Sequence, residues 1–186
     1  MSSMPTGYVQ IGLSGDLKPL VPPGDDPAAA SAIANFALAQ QTVFDNKLRR
    51  FLSGHVDAAP TVAAHAGELT GWMNTGLLEW IRQWPREAAE VDPDFDAAQQ
   101  DTIATSALAT TKPTGGGLAI PEGDDAETVY EITAFVFRNI RELRAEITIF
   151  ANAHYAAAPA SADHAWDLST GYLRLLAVWA IDCWPR

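Results

Sequence analysis

Apolar residues recur at helical spacing along two long stretches, and each stretch leads into a second, shorter one. The first long stripe is Ile33, Phe36, Ala37, Phe44, Leu48 and Phe51. Its later counterpart is Val129, Ile132, Val136, Ile140, Leu143, Ile147 and Phe150. Intervals of three and four residues put these side chains on one face of an amphipathic helix. Asp26 reads as the N-cap of the first helix, and Pro27 suits its first position, where no N–H is needed. Asp25 adds negative charge at the positive end of the helix dipole, and Gly54 marks the stop. Asp125 caps the counterpart. Each helix spans about 27 residues, roughly 40 Å at 1.5 Å per residue.

A short connection holding Pro60 or Pro159 follows each long helix. Thr61 and Ser161 are placed to cap the next helices. Those helices carry Leu69, Met73, Leu77, Trp80, Ile81 and Trp84, and in the counterpart Leu168, Tyr172, Leu175, Leu176, Trp179 and Trp184. Pro85 and Pro185 end them. A short loop between two helices makes an antiparallel hairpin, so the chain holds two hairpins.

The hairpins are copies of one unit. At an offset of 99, Pro22, Gly24, Asp25, Asp26, Phe36, Phe51, His55, Pro60, His65 and Leu69 match Pro121, Gly123, Asp124, Asp125, Phe135, Phe150, His154, Pro159, His164 and Leu168. One inserted residue moves the offset to 100 from Thr70 and Thr170 onward, ending with Trp84-Pro85-Arg86 against Trp184-Pro185-Arg186. Neither hairpin alone can bury the stripes of both its helices. The expected fold is therefore all-α: a pseudo-twofold four-helix bundle built from two tandem hairpins, residues 25–86 and 123–186, in one folded domain. Residues 1–24, with Pro5, Gly7, Gly12, Gly15, Pro19, Pro22, Pro23 and Gly24, read as an extended arm, with a short strand at Tyr8–Ile11 as the alternative. Residues 87–122 form an acidic, Gly-rich and partly irregular linker, with a candidate short helix over 94–108.

Composition narrows the partners. The 12 Lys and Arg against 23 Asp and Glu give a net charge of −11. Such a charge opposes direct basic contact with nucleic acid or with an anionic membrane. The most apolar window, Tyr172 to Trp184, is too short to span a bilayer and holds Arg174 and Asp182. The N-terminus has no basic region followed by an apolar run, so no secretory leader is predicted. The single Cys183 precludes an intrachain disulfide and fits a cytoplasmic location.

Candidate chemistry is confined to the duplicated histidines. His55 and His154 follow the first helix of each hairpin, and His65 and His164 fall one turn into the second. Glu68 and Asp167 lie three residues on, where a helix brings a carboxylate beside an imidazole. If the two hairpin tips converged, these six residues could bind a transition metal such as Zn, Fe or Cu. The spacings that bring two ligands from one helix, His-x3-His and Glu-x-x-His, are missing. A structural role is the favoured account of the histidines: a His at a helix C-terminus complements the dipole, and a His on an inward face hydrogen-bonds a backbone carbonyl near the loop. Gly24-Asp25-Asp26 and Gly123-Asp124-Asp125 are explained by capping, and Trp80, Trp84, Trp179 and Trp184 by the core. Trp72 and Trp166 fall off the stripes and suggest a partner interface. No motif specifies a reaction, and the sequence requires no cofactor. The expected function is a non-catalytic protein-interaction or assembly protein, binding a protein partner or itself. The alternative is a metal- or small-ligand-binding bundle using the His and carboxylate sets.

Overall fold

A computed structural model describes residues 9–10, 20–83 and 120–182 of the chain. Most of them lie in four helices: α1 Pro27–Ser53, α2 Pro60–Gln83, α3 Ala126–His154 and α4 Pro159–Asp182. α1 packs on α3 and on α2, α4 packs on α3 and on α2, and the four close into a bundle. The candidate helix over 94–108, the two Trp-Pro-Arg endings and Cys183 lie outside the described residues. Of the arm, Val9–Gln10 pairs antiparallel with Leu20–Val21, and the Val21 side chain is buried in the core. Among the described residues no helix is long and apolar enough to cross a membrane.

Equivalent bonds recur in both repeats, as a pseudo-twofold relation requires. Phe36 stacks on Phe150 with ring centroids 4.0 Å apart, and Phe51 stacks on Phe135 at 3.9 Å. The indole N–H of Trp80 donates to the His164 carbonyl, and that of Trp179 donates to the His65 carbonyl at 2.9 Å. A buried indole N–H needs such a partner, and these two bonds tie α2 to α4. They also fix the register. Structural equivalence keeps the offset of 99 as far as Trp80 and Trp179, so the extra residue does not enter at Thr70 as the sequence matches imply.

The Gly-Asp-Asp segments join the repeats. Gly24 and Gly123 adopt φ of 94° and 90°, a conformation open to glycine at no steric cost. Each sits third in a turn closed by Asp25 N–H to Pro22 O and by Asp124 N–H to Pro121 O. The second aspartate caps its own helix: Asp26 accepts from Ala29 N–H, and Asp125 accepts from Thr128 N–H. The first aspartate crosses to the other repeat. Asp25 accepts from Ala160 N–H at 3.2 Å, from Ser161 N–H at 2.7 Å and from Ser161 Oγ–H at 2.6 Å. Asp124 accepts from Thr61 N–H at 3.0 Å and Val62 N–H at 2.9 Å. Thr61 and Ser161 therefore lie inside the first turn as donors and are not the caps. Pro60 and Pro159 open α2 and α4 with no N–H of their own, so a carboxylate from outside can serve the next two donors.

The interior is not fully symmetric. Gln41 and Tyr172 are both buried, and the Tyr172 hydroxyl donates to Gln41 Oε1. Gln41 Nε2 donates to Asn74 Oδ1 at 2.6 Å, and Asn74 Nδ2 donates to Asp45 Oδ2 at 3.1 Å. The positions equivalent to Gln41 and Tyr172 are Ile140 and Met73, both buried and apolar.

Candidate functional site

The two hairpin tips lie at opposite ends of the bundle. Asp26 N–H donates to Ala157 O at 2.8 Å, so the second tip sits at the start of α1. Asp125 N–H donates to Ala58 O at 2.7 Å, so the first tip sits at the start of α3. The length of α1, 27 residues, separates them by about 40 Å.

His55 and His154 are therefore far apart and have different neighbours. His55 Nδ1 lies 2.8 Å from Phe51 O, and His154 Nδ1 lies 2.9 Å from Phe150 O. A carbonyl only accepts, so each Nδ1 carries the hydrogen. Each imidazole stacks on the phenylalanine whose carbonyl it holds. His55 Nε2 is 3.3 Å from Glu131 Oε2. The equivalent of Glu131 in the other repeat is Ala32, so His154 has no matching carboxylate.

The second pair has also diverged. His65 is half-buried, with Nδ1 3.3 Å from Glu68 Oε2. His164 is buried, and its Nε2–H donates to Trp80 O at 2.9 Å. Its ring stacks on the Trp80 indole with centroids 4.8 Å apart. Burial lowers its pKa to about 4, against a smaller opposing effect from the Trp80 carbonyl. Asp167 lies on the exposed face of α4 while His164 faces inward. Among the described residues no group of three or more His, Cys, Asp or Glu side chains is arranged to hold a metal ion.

Trp72 and Trp166 are both 37% exposed. Trp166 stacks with Tyr155, itself 42% exposed, at 5.6 Å. The pair forms an outward aromatic surface where the second tip meets α4. The equivalent positions are Val56 and Gly67, so the first tip has no such pair.

Between α1 and α3 runs a groove with the two phenylalanine stacks near its ends, and all four rings are half-buried. Phe36, Phe51 and Phe150 do not sit in the interior as their place on the stripes implies, because antiparallel pairing of α1 with α3 brings them, with Phe135, to the seam. At the Phe51–Phe135 end the groove opens into a concavity of about 600 Å³. Its lining includes Lys47, Arg50, Arg138, Asn139 and Glu142. Six of the 12 basic residues, Lys47, Arg49, Arg50, Arg138, Arg141 and Arg144, lie on these two helices. The signal was present as Lys47-Leu-Arg-Arg50 and Arg138-x2-Arg141-x2-Arg144, hidden beneath the net charge of −11.

Asp45 and Tyr172, joined through Gln41 and Asn74, are both displaced upward from ordinary titration. Burial pushes the Asp45 carboxyl up, partly opposed by the Asn74 amide and Arg49. Burial pushes the Tyr172 hydroxyl up further, with the Asp45 charge adding to it. Their linkage through Gln41 and Asn74 explains both positions without a nucleophile. Family models, curated proteins and solved structures yield no match to this chain.

Proposed function

We propose that this chain is a non-catalytic interaction protein that offers a preformed helical surface to a protein partner. The observation that carries the reading is the exposed Tyr155–Trp166 pair. Tyrosine and tryptophan give large contact area at small entropic cost and dominate measured interface energetics. The pair stands on a tip anchored to α1 by the Ala157 carbonyl and the Asp25 carboxylate, so little ordering cost accompanies binding. Trp72 supplies a second exposed anchor on α2. A reducing, cytoplasmic setting suits the single cysteine.

Sedimentation over a wide concentration range, compared with the chain mass of 20.0 kDa, tests self-association first. Cross-linking in cells followed by mass spectrometry then tests a second protein. Contacts should map to Tyr155, Trp166 and Trp72, and Tyr155→Ala with Trp166→Ala should remove them while leaving the melting temperature near that of the parent. A monomer whose cross-links avoid all three residues would refute the assignment.

A further inference from the structure

The α1–α3 groove is a second, electrostatically distinct site, and we propose that it binds an acidic peptide segment of a partner protein. Lys47, Arg50 and Arg138 line its concavity, and none forms a salt bridge among the described residues. Arg138 lies over the Phe135 ring, 5.9 Å from its centroid. Three cations gathered on a chain of net charge −11, with no carboxylate bonded to them, create a local field that attracts anions.

The floor favours the same charge. Phe51 is covered on one face by Phe135 and on the other by His55. Phe135 stacks on Phe51, and the Arg138 guanidinium carbon lies 5.9 Å from the Phe135 centroid. Stacking of Phe51 between two rings turns its edge outward, and aromatic edges carry the positive part of the quadrupole.

The shape indicates a chain rather than a small ion. A smaller depression continues along the seam, lined by Gln40, Val43, Phe44, Leu143 and Glu146, and it shares Lys47, Asn139 and Glu142 with the concavity. From Gln40 to Phe51 the groove follows about 16 Å of helix, the span of roughly five extended residues. Glu142 and Glu146 fall within or beyond its middle. The ligand's carboxylates therefore belong at the Arg50–Arg138 end and its apolar residues toward Val43. Glu142 and Glu146 would repel a continuous phosphate backbone, which disfavours nucleic acid. A second copy is the competing occupant, because twofold packing can set the basic end against the end that holds Glu142 and Glu146; a dimer in sedimentation that is lost in the Arg50→Glu, Arg138→Glu variant would overturn the peptide assignment.

The probe is a fluorescein-labelled eight-residue peptide with three glutamates followed by leucines, with a lysine-for-glutamate version as control. Fluorescence anisotropy should show saturable binding of the acidic peptide only, weakening as salt is raised. Arg50→Glu combined with Arg138→Glu should reduce affinity at least about tenfold. Arg141→Glu, on α3 but not lining the concavity, should change it less than about threefold, which separates the pocket from overall charge. All of these positions are exposed, and circular dichroism checks that the variants keep their helices. No saturation up to about 1 mM peptide, equal losses in all variants, or saturable binding of a single-stranded oligonucleotide in place of the peptide would each overturn the proposal. Because Tyr155 and Trp166 are untouched, loss of this site leaves the interaction reading for the second tip standing.

Discussion

Replacing Asp25 with alanine should destabilise the fold more than replacing its neighbour Asp26, although Asp26 is the residue that a sequence would mark as the helix cap. Asp25 is buried and holds Ser161 twice, through N–H at 2.7 Å and Oγ–H at 2.6 Å. Ser161 is also buried, so water cannot replace the lost acceptor. Hydrogen bonds to a charged partner are worth about 1.5–3 kcal/mol each, and orphaned buried donors cost a similar amount. Taking the lower figure for both Ser161 bonds, and nothing for the longer contact from Ala160, gives about 3 kcal/mol. Asp26 makes one cap bond, to Ala29 N–H at 2.8 Å, at an exposed position. Its loss should cost about 1 kcal/mol. With a urea m-value of about 2 kcal/mol/M, the unfolding midpoint should fall by about 1.5 M for Asp25→Ala and about 0.5 M for Asp26→Ala. Ser161→Ala made in both backgrounds completes a cycle, whose coupling should exceed about 1 kcal/mol. If the two aspartates cost the same, or if Asp25 and Ser161 prove additive, cross-repeat capping does not hold the hairpins together.

Further expectations are equally concrete. Tyr172→Met alone should cost about 1–3 kcal/mol, because Gln41 Oε1 loses its buried donor. Adding Gln41→Ile reproduces the Ile140 and Met73 pair of the other repeat and should recover much of that loss; a double variant no more stable than Tyr172→Met would refute the equivalence. For His164 the folded pKa of about 4 lies below the ordinary 6.5, so the unfolded chain takes up a proton that the folded chain refuses. Stability should be complete above pH 6.5 and decline as pH falls toward 4, by roughly 3 kcal/mol at most. His164→Gln, which keeps an N–H donor, should flatten that part of the profile, and an unchanged slope would show that other groups set it. Elemental analysis of purified protein should find Zn, Fe and Cu well below one per chain; stoichiometric metal lost in His65→Ala and His164→Ala would favour the ligand-binding alternative.

The helices were legible because each stripe repeats within a few residues and needs no knowledge of the rest of the chain. Ile132, Val136, Ile140, Leu143 and Ile147 are buried in α3 as their spacing predicts. The paired half-burial of Phe36 and Phe150 was not legible, since it depends on which helix lies opposite and in which direction. The same limit governs the aspartates. Asp26 caps a helix one residue away, a local fact. Asp25 caps one that begins more than a hundred residues later, and no local pattern shows that. The histidine set illustrates the converse. Matching positions in two repeats invite one convergent site, but a twofold axis perpendicular to α1 and α3 sends the two tips to opposite ends. Net charge concealed the basic groove because summing over the chain discards position.

Duplication followed by loss of symmetry accounts for where the candidate surfaces lie. Residues that join the repeats stay alike, since a change in either copy breaks a contact between them: Asp25 and Asp124 accept from the opposite repeat, Trp80 and Trp179 donate to it, and the four phenylalanines stack across it. Positions facing outward have no such constraint and differ between copies. Arg138 faces the groove where the equivalent residue is Ala39, and Arg50 where it is Ile149. Glu131 meets His55 where the other repeat has Ala32, and Trp166 stacks on Tyr155 where the other has Gly67 and Val56. One end of the α1–α3 seam has thereby become cationic while the other end shows Ile149, and an aromatic pair marks the second tip alone. A homodimer of single hairpins would carry two copies of each surface. Joining the hairpins in one chain lets each end of the bundle present a different surface chemistry without disturbing the bonds that close the core.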